Sequence, residues 1–237
     1  MRIVIDIVIV LLLAYCTWSG YKRGIINGLA GILALIIGLF GACILSSSYS
    51  GEAITALKPF VSGYIESAAS EEAIDKLGIS DSGLSLSDAI AADPKLAEKY
   101  CEACFEAIGF HERRSDDLAR DAVKLMEEQN IQATEAVETV ACETITYVGG
   151  VVLAFALIIV LLSVIANITN LSFRLPNKPD VDEIGGAIAG FVKGFLYCVF
   201  ICWLLSFAGL LIGKTTLSDT LLGKFFLMFE FITRVII

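Results

Sequence analysis

The residues with chemistry to offer are few, and most lie in one stretch. Cys101-x-x-Cys104 and Cys142 fall within residues 46–144. A Cys-x-x-Cys pair carries thiol–disulfide exchange when it opens a helix in a βαβ setting, and no such pattern surrounds this one. Helical spacing puts both thiols on one face. A bridge to Cys142 is open to them if the segment faces an oxidising compartment, and free thiols are the alternative. Cys16, Cys43, Cys198 and Cys202 sit in apolar runs and read as small packing residues. His111 is the single histidine, which excludes a His-rich metal site, and neither a Ser/His/Asp, a zinc nor an EF-hand spacing occurs. Ala208–Thr215 (Ala-Gly-Leu-Leu-Ile-Gly-Lys-Thr) formally matches a P-loop. That chemistry needs a strand, a phosphate-wrapping loop and then a helix, whereas here the apolar end of a long run precedes it. Lys214 reads instead as an interfacial anchor. The expectation is a non-enzymatic chain with no catalytic residue, metal or cofactor.

The remaining polar groups of interest stand inside or beside apolar runs: Asp6, Arg23, Asn27 and Lys193. Asp6 and Arg23 are 17 residues apart, about 25 Å on a helix, so they mark opposite ends of one span and cannot pair. Asp6 suits either an ion path or a capping role near the N-terminus. Asn27 suits an interhelical hydrogen bond.

The elements that must position these groups are apolar runs at Ile3–Ser19, Ile25–Leu45, Val148–Ile168 and Ile184–Ile212. A helix needs about 20 apolar residues to cross a hydrocarbon core of ~30 Å. Continuous rather than alternating runs predict helices. The fold expected is all-α, an integral membrane protein with four transmembrane helices and a helical polar insert between spans two and three. The segments are 1–45, 46–144, 145–213 and a tail 214–237 that suits an interfacial helix. Leu13-Ala14-Tyr15-Cys16 is not read as a lipoprotein cleavage box, because Tyr15 stands where a small residue is required.

Charge is divided accordingly. The chain has a mean hydropathy of +0.78 and is 18% charged, against roughly 25% for soluble domains. Residues 46–144 hold 20 of the 26 acids and 8 of the 17 bases, a net of −12, which leaves +3 elsewhere. That balance excludes nucleic acid as a partner. Lys22, Arg23, Arg174, Lys178 and Lys193 fall on one side of the predicted topology, and Arg2, Lys214, Lys224 and Arg234 on the other. The bias puts both termini and the insert outside the cytoplasm.

Within the insert, Glu52–Ala69 predicts a helix and Asp81-Ser82-Gly83 a turn. Asp93 before Pro94 predicts an N-cap of a helix running to Gly109. Ser115 caps a further pattern that continues through Val140 into the third span.

Glycines recur every fourth residue at Gly20, Gly24 and Gly28 and again at Gly186, Gly190 and Gly194. Such stripes let backbones approach closely. They serve packing within the four-helix unit, or else self-association or a lined pathway. Gly20-Tyr21-Lys22-Arg23-Gly24 and Gly190-Phe191-Val192-Lys193-Gly194 share one form, which suggests a repeat of two helix pairs and would set Lys193 at the cytoplasmic interface.

Ile5-Asp6 with Arg23-Gly24, and Leu175-Pro176 with Ile184-Gly185-Gly186, Gly190 and Lys193-Gly194, resemble the colicin V production (CvpA-type) family of bacterial inner-membrane proteins. The resemblance covers the two membrane halves, about 60% of the chain. The insert of roughly 100 residues departs from the simplest members. The resemblance implies a four-span cytoplasmic-membrane protein accessory to colicin V or bacteriocin production or export and to envelope homeostasis, and it brings no catalytic residues. An oligomeric channel or transporter built on the glycine-rich spans two and four is the alternative. The partners expected are the lipid bilayer, a second copy, and an envelope or export protein through residues 46–144.

Overall fold

The structure, a computed structural model, describes residues 2–65, 70–79, 86–92, 94–168, 179–207 and 220–229. Its elements are α1 (Arg2–Arg23), α2 (Ile25–Tyr64), α3 (Ser70–Lys76), α4 (Leu86–Ala92), α5 (Pro94–Ile108), α6 (Glu112–Gln129), α7 (Ala133–Ile168), α8 (Pro179–Leu205) and α9 (Leu221–Leu227). No strand occurs among the described residues. Among the described residues, four stretches are long and apolar enough to cross a membrane: Ile3–Arg23, Ile25–Tyr49, Ala133–Ala166 and Asp180–Leu205. The chain is an all-α membrane protein. Arg174, Leu175, Pro176, Lys178, Lys214, Arg234, Asp93, the turn at 81–83 and the P-loop-like stretch 208–215 lie outside the described residues.

The chain divides into two compact units. The membrane unit comprises Met1–Ser48, Gly149–Leu205 and Thr216–Ile237. Its centre is α8, the most buried of the four spans. Helix α1 runs antiparallel to it, with Ile9 at Cys198, Cys16 at Gly190 and Gly194, and Gly20 at Gly186 and Gly190. Phe155 of α7 packs on Phe200 of α8 with ring centroids 4.9 Å apart. Helix α9 closes one end, where Phe226 lies 5.2 Å from Phe195. Ile3, Ile7, Leu11 and Trp18 on α1, and Leu153, Leu157, Val160 and Val164 on α7, stay exposed. These are the apolar faces that a bilayer covers.

The acidic unit comprises Tyr49–Val148 and Ser206–Thr215. Helix α5 supplies Tyr100, Cys101, Cys104 and Phe105, all fully buried, at helical spacing. Around them pack Ile65, Ala119 and Ala122 of α6, and Val137 and Ala141 of α7. Gly109, at φ 102°, stops α5. Its N–H bonds Glu106 O at 2.9 Å while that of Phe110 bonds Phe105 O at 3.0 Å, the double closure that a left-handed glycine permits.

Three boundaries differ from the sequence reading. The second span and the helix expected at Glu52–Ala69 are one helix, α2, which runs through Ser46–Ser48 without a break. The hydroxyls of Ser47 and Ser48 bond back to Ile44 O at 2.9 Å and leave the backbone ladder intact. The helix expected to start at Ser115 starts at Glu112, and it stops at Asn130, which is left-handed at φ 53°. A new helix, α7, then begins at Ala133 and carries into the third span. The fourth span ends at Leu205 rather than Ile212. Ser206 turns out of helix, and its carbonyl accepts the His111 N–H at 3.0 Å.

Candidate functional site

The glycine stripes meet each other inside the membrane unit. A Cβ on Gly20 would collide with Gly186 O and lie 2.7 Å from Gly190 Cα. One on Gly190 would collide with Cys16 O, and one on Gly28 would lie 2.7 Å from Ala189 Cβ. Gly194 faces Cys16 and Leu13. With backbone against backbone, only glycine fits, so the stripes are packing surfaces within a single copy.

Gly24 is the joint between α1 and α2. It takes φ 81°, and the Asp182 carboxylate occupies the space where its side chain would be. Asp182 is 4% exposed and accepts the Ile25 N–H at 3.0 Å, so the N-terminus of α2 is capped by a residue from α8. Sequence reading passed over Asp182. Its one signal was an acid in the first turn of a helix whose next turns are glycine-rich. Asp6 does comparable work, since its carboxylate accepts the Leu222 N–H at 3.1 Å at the start of α9.

Lys193 lies 13 residues beyond Asp180, at the middle of the 26-residue apolar stretch of α8. That is about 20 Å along the helix, not the interface the apparent repeat suggested. The two copies of the repeat are unlike in structure. Gly20–Gly24 ends in a helix break, whereas Gly190–Gly194 lies in mid-helix. The Lys193 ammonium lies over Gly31 of α2, where a Cβ would come within 3.1 Å of Nζ, and 5.7 Å from the Tyr197 ring centroid. Among the described residues no carboxylate pairs with it. A lone charge at a span centre costs about 2.5–3.5 kcal/mol or more, which makes its surroundings informative.

Those surroundings are a cavity of about 370 Å³ between α1, α2 and α8. Tyr15, Cys16, Ser19 and Arg23 line it from α1, Asn27, Gly28 and Gly31 from α2, and Gly190, Lys193 and Tyr197 from α8. The glycines open the space, the cations give it a positive potential, and among the described residues no acid lines it. The Asn27 amide donates to Arg23 O at 2.8 Å, four residues back across the Gly24 joint, rather than to the fourth span. The arrangement suits binding of an anion. It holds no positioned acid–base pair.

The cysteine candidates fall in the acidic unit. Cys101, Cys104 and Cys142 are buried free thiols. The first two share the core cluster, of which Cys142 is not a member. Burial pushes the Cys101 thiol up to about 12 and the Cys104 thiol up to about 11, the opposite of what a reactive thiolate needs. Among the described residues no group of three or more His, Cys, Asp or Glu could hold a metal.

No family model, curated protein or solved structure matches the chain.

Proposed function

We propose that the chain is a non-enzymatic protein of a bacterial cytoplasmic membrane, accessory to colicin V or bacteriocin production or export and to envelope homeostasis. One observation carries this reading: the residues of the family-like motifs serve assembly. Asp6 caps α9, Gly24 forms the α1–α2 joint, and Gly186 and Gly190 seat the first span on the fourth. The acidic unit, with both termini, faces out of the cytoplasm and offers the surface for an envelope or export partner. A deletion strain of the producing bacterium tests the function. Secreted bacteriocin activity or the integrity of the envelope, read as leakage of a periplasmic marker, falls and returns on complementation with the chain, and no change in either defeats the proposal. Ser82→Cys and Ser172→Cys, each in a cysteine-free background, test orientation. An impermeant thiol reagent on intact cells labels the first alone if the acidic unit is outside.

A second reading, an anion channel or transporter, draws on the mid-span Lys193 and its cavity. Because the glycine faces of spans two and four are occupied within one copy, the route would pass through the cavity itself and not through a glycine-lined oligomer axis. Anion flux in proteoliposomes that is lost in Lys193→Ala favours it. Flux no greater than that of empty vesicles dismisses it.

A further inference from the structure

We propose that the cavity between α1, α2 and α8 holds the phosphate headgroup of one anionic membrane lipid, with Lys193 as the inner contact and Arg23 at the mouth. The inference rests on the membrane location and not on the bacteriocin role, so either can fail alone.

Four observations converge on it. First, among the described residues the cavity is lined by two cations and no acid. Its charge therefore selects an anion. Second, its volume of about 370 Å³ lies at the lower end of small-molecule sites, roughly 300–1,000 Å³. That space takes a headgroup with the start of its chains and is generous for an inorganic ion.

Third, the opening lies on a lipid-facing surface. Tyr15 lines the cavity and is itself exposed, on the face of α1 that also exposes Leu11 and Trp18. A ligand whose tails remain in the bilayer enters sideways past Tyr15. Fourth, the cations are staggered. Arg23 ends α1 at the Gly24 joint, while Lys193 faces Gly31, seven residues further along α2, or roughly 10 Å. One cation at the mouth and one within suit a headgroup drawn partly below the interface. Basic pockets between membrane helices are a recognised setting for anionic headgroups.

The test is native mass spectrometry on the full chain purified in a non-ionic detergent. Phosphatidylglycerol is titrated against phosphatidylcholine with the same acyl chains. The wild type retains one phosphatidylglycerol in preference to phosphatidylcholine. Lys193→Met weakens that retention by about fivefold or more, while Lys193→Arg and the distant Lys224→Met stay within about twofold of wild type. Gly31→Leu keeps every charge, fills the cavity and also loses the lipid, so if Lys193→Met fails to fold, Gly31→Leu decides. Equal retention of the two lipids overturns the proposal. So does retention unchanged in both Lys193→Met and Gly31→Leu, or an equal loss in Lys224→Met. Displacement by millimolar inorganic phosphate overturns it in favour of a soluble anion.

Discussion

Adding one methyl group at Gly186 should cost the membrane unit a large part of its stability. The new Cβ would fall 2.8 Å from Gly24 C and 2.9 Å from Gly24 Cα, and it would collide with Gly20 O. Carbon atoms rest about 3.5–4.0 Å apart, so α8 must withdraw from the α1–α2 joint by nearly 1 Å. All three neighbours are backbone, and no side chain can rotate away. Overpacking of this kind costs about 1–3 kcal/mol. Withdrawal would also stretch the Asp182–Ile25 hydrogen bond, now 3.0 Å. Gly149→Ala is the control, because a Cβ there meets nothing within 4 Å, and alanine in an open helix gains about 0.5–1 kcal/mol over glycine. The two variants, identical in chemistry, should therefore differ by about 1.5–4 kcal/mol. The assay is unfolding in mixed micelles by increasing dodecyl sulfate, followed by far-ultraviolet circular dichroism. If Gly186→Ala and Gly149→Ala unfold at the same midpoint, the backbone contact between α1 and α8 does not exist as described.

Three further outcomes are expected. Asp182→Ala removes the cap on α2 and should lower stability by about 1–2 kcal/mol, with Asp182→Asn recovering most of it, measured in the same assay. Ser62→Ala takes the hydroxyl donor, at 2.9 Å, from the buried Glu138 carboxylate and should cost about 1–3 kcal/mol, read as a lower thermal midpoint of the full chain. Cys101 and Cys104, held up to about 12 and about 11, should resist iodoacetamide at pH 8 until the chain is unfolded, as judged by peptide mass spectrometry. The sign for stability follows from the same shift. The unfolded chain loses thiol protons above about pH 8.5 and the folded one does not, so this contribution is whole below that pH and lost as pH rises towards 12.

Much of the architecture was legible because bilayer thickness fixes how long an apolar run must be. The four spans could be counted from Ile3, Ile25, Val148 and Ile184 onward without reference to tertiary contacts. Boundaries were less legible where local chemistry opposed the composition. Three serines at 46–48 look like a break, yet the Ser47 and Ser48 hydroxyls, satisfied by the Ile44 carbonyl one turn back, leave the helix intact. Asn130 ends a helix with no glycine or proline beside it, because asparagine tolerates the left-handed region. The site was half legible. Glycine spacing announced two smooth faces, but it could not say that each is the other's partner. Asp182 was missed because its role depends on a residue 157 positions away. Lys193 was misplaced in depth because a five-residue likeness was read as a repeat, although only one copy contains the joint.

The Asp182 cap also sets a clock on biogenesis. The Ile25 amide leaves the ribosome long before the carboxylate that will receive it, 157 residues later. At about 5–20 residues per second the wait is roughly 10–30 s. The Leu222 amide meets Asp6 across a still longer interval of 216 residues. Each early span therefore enters the bilayer with its partner unmade. The nascent chain must keep spans one and two available, neither docked elsewhere nor degraded, until the fourth arrives to close the bundle.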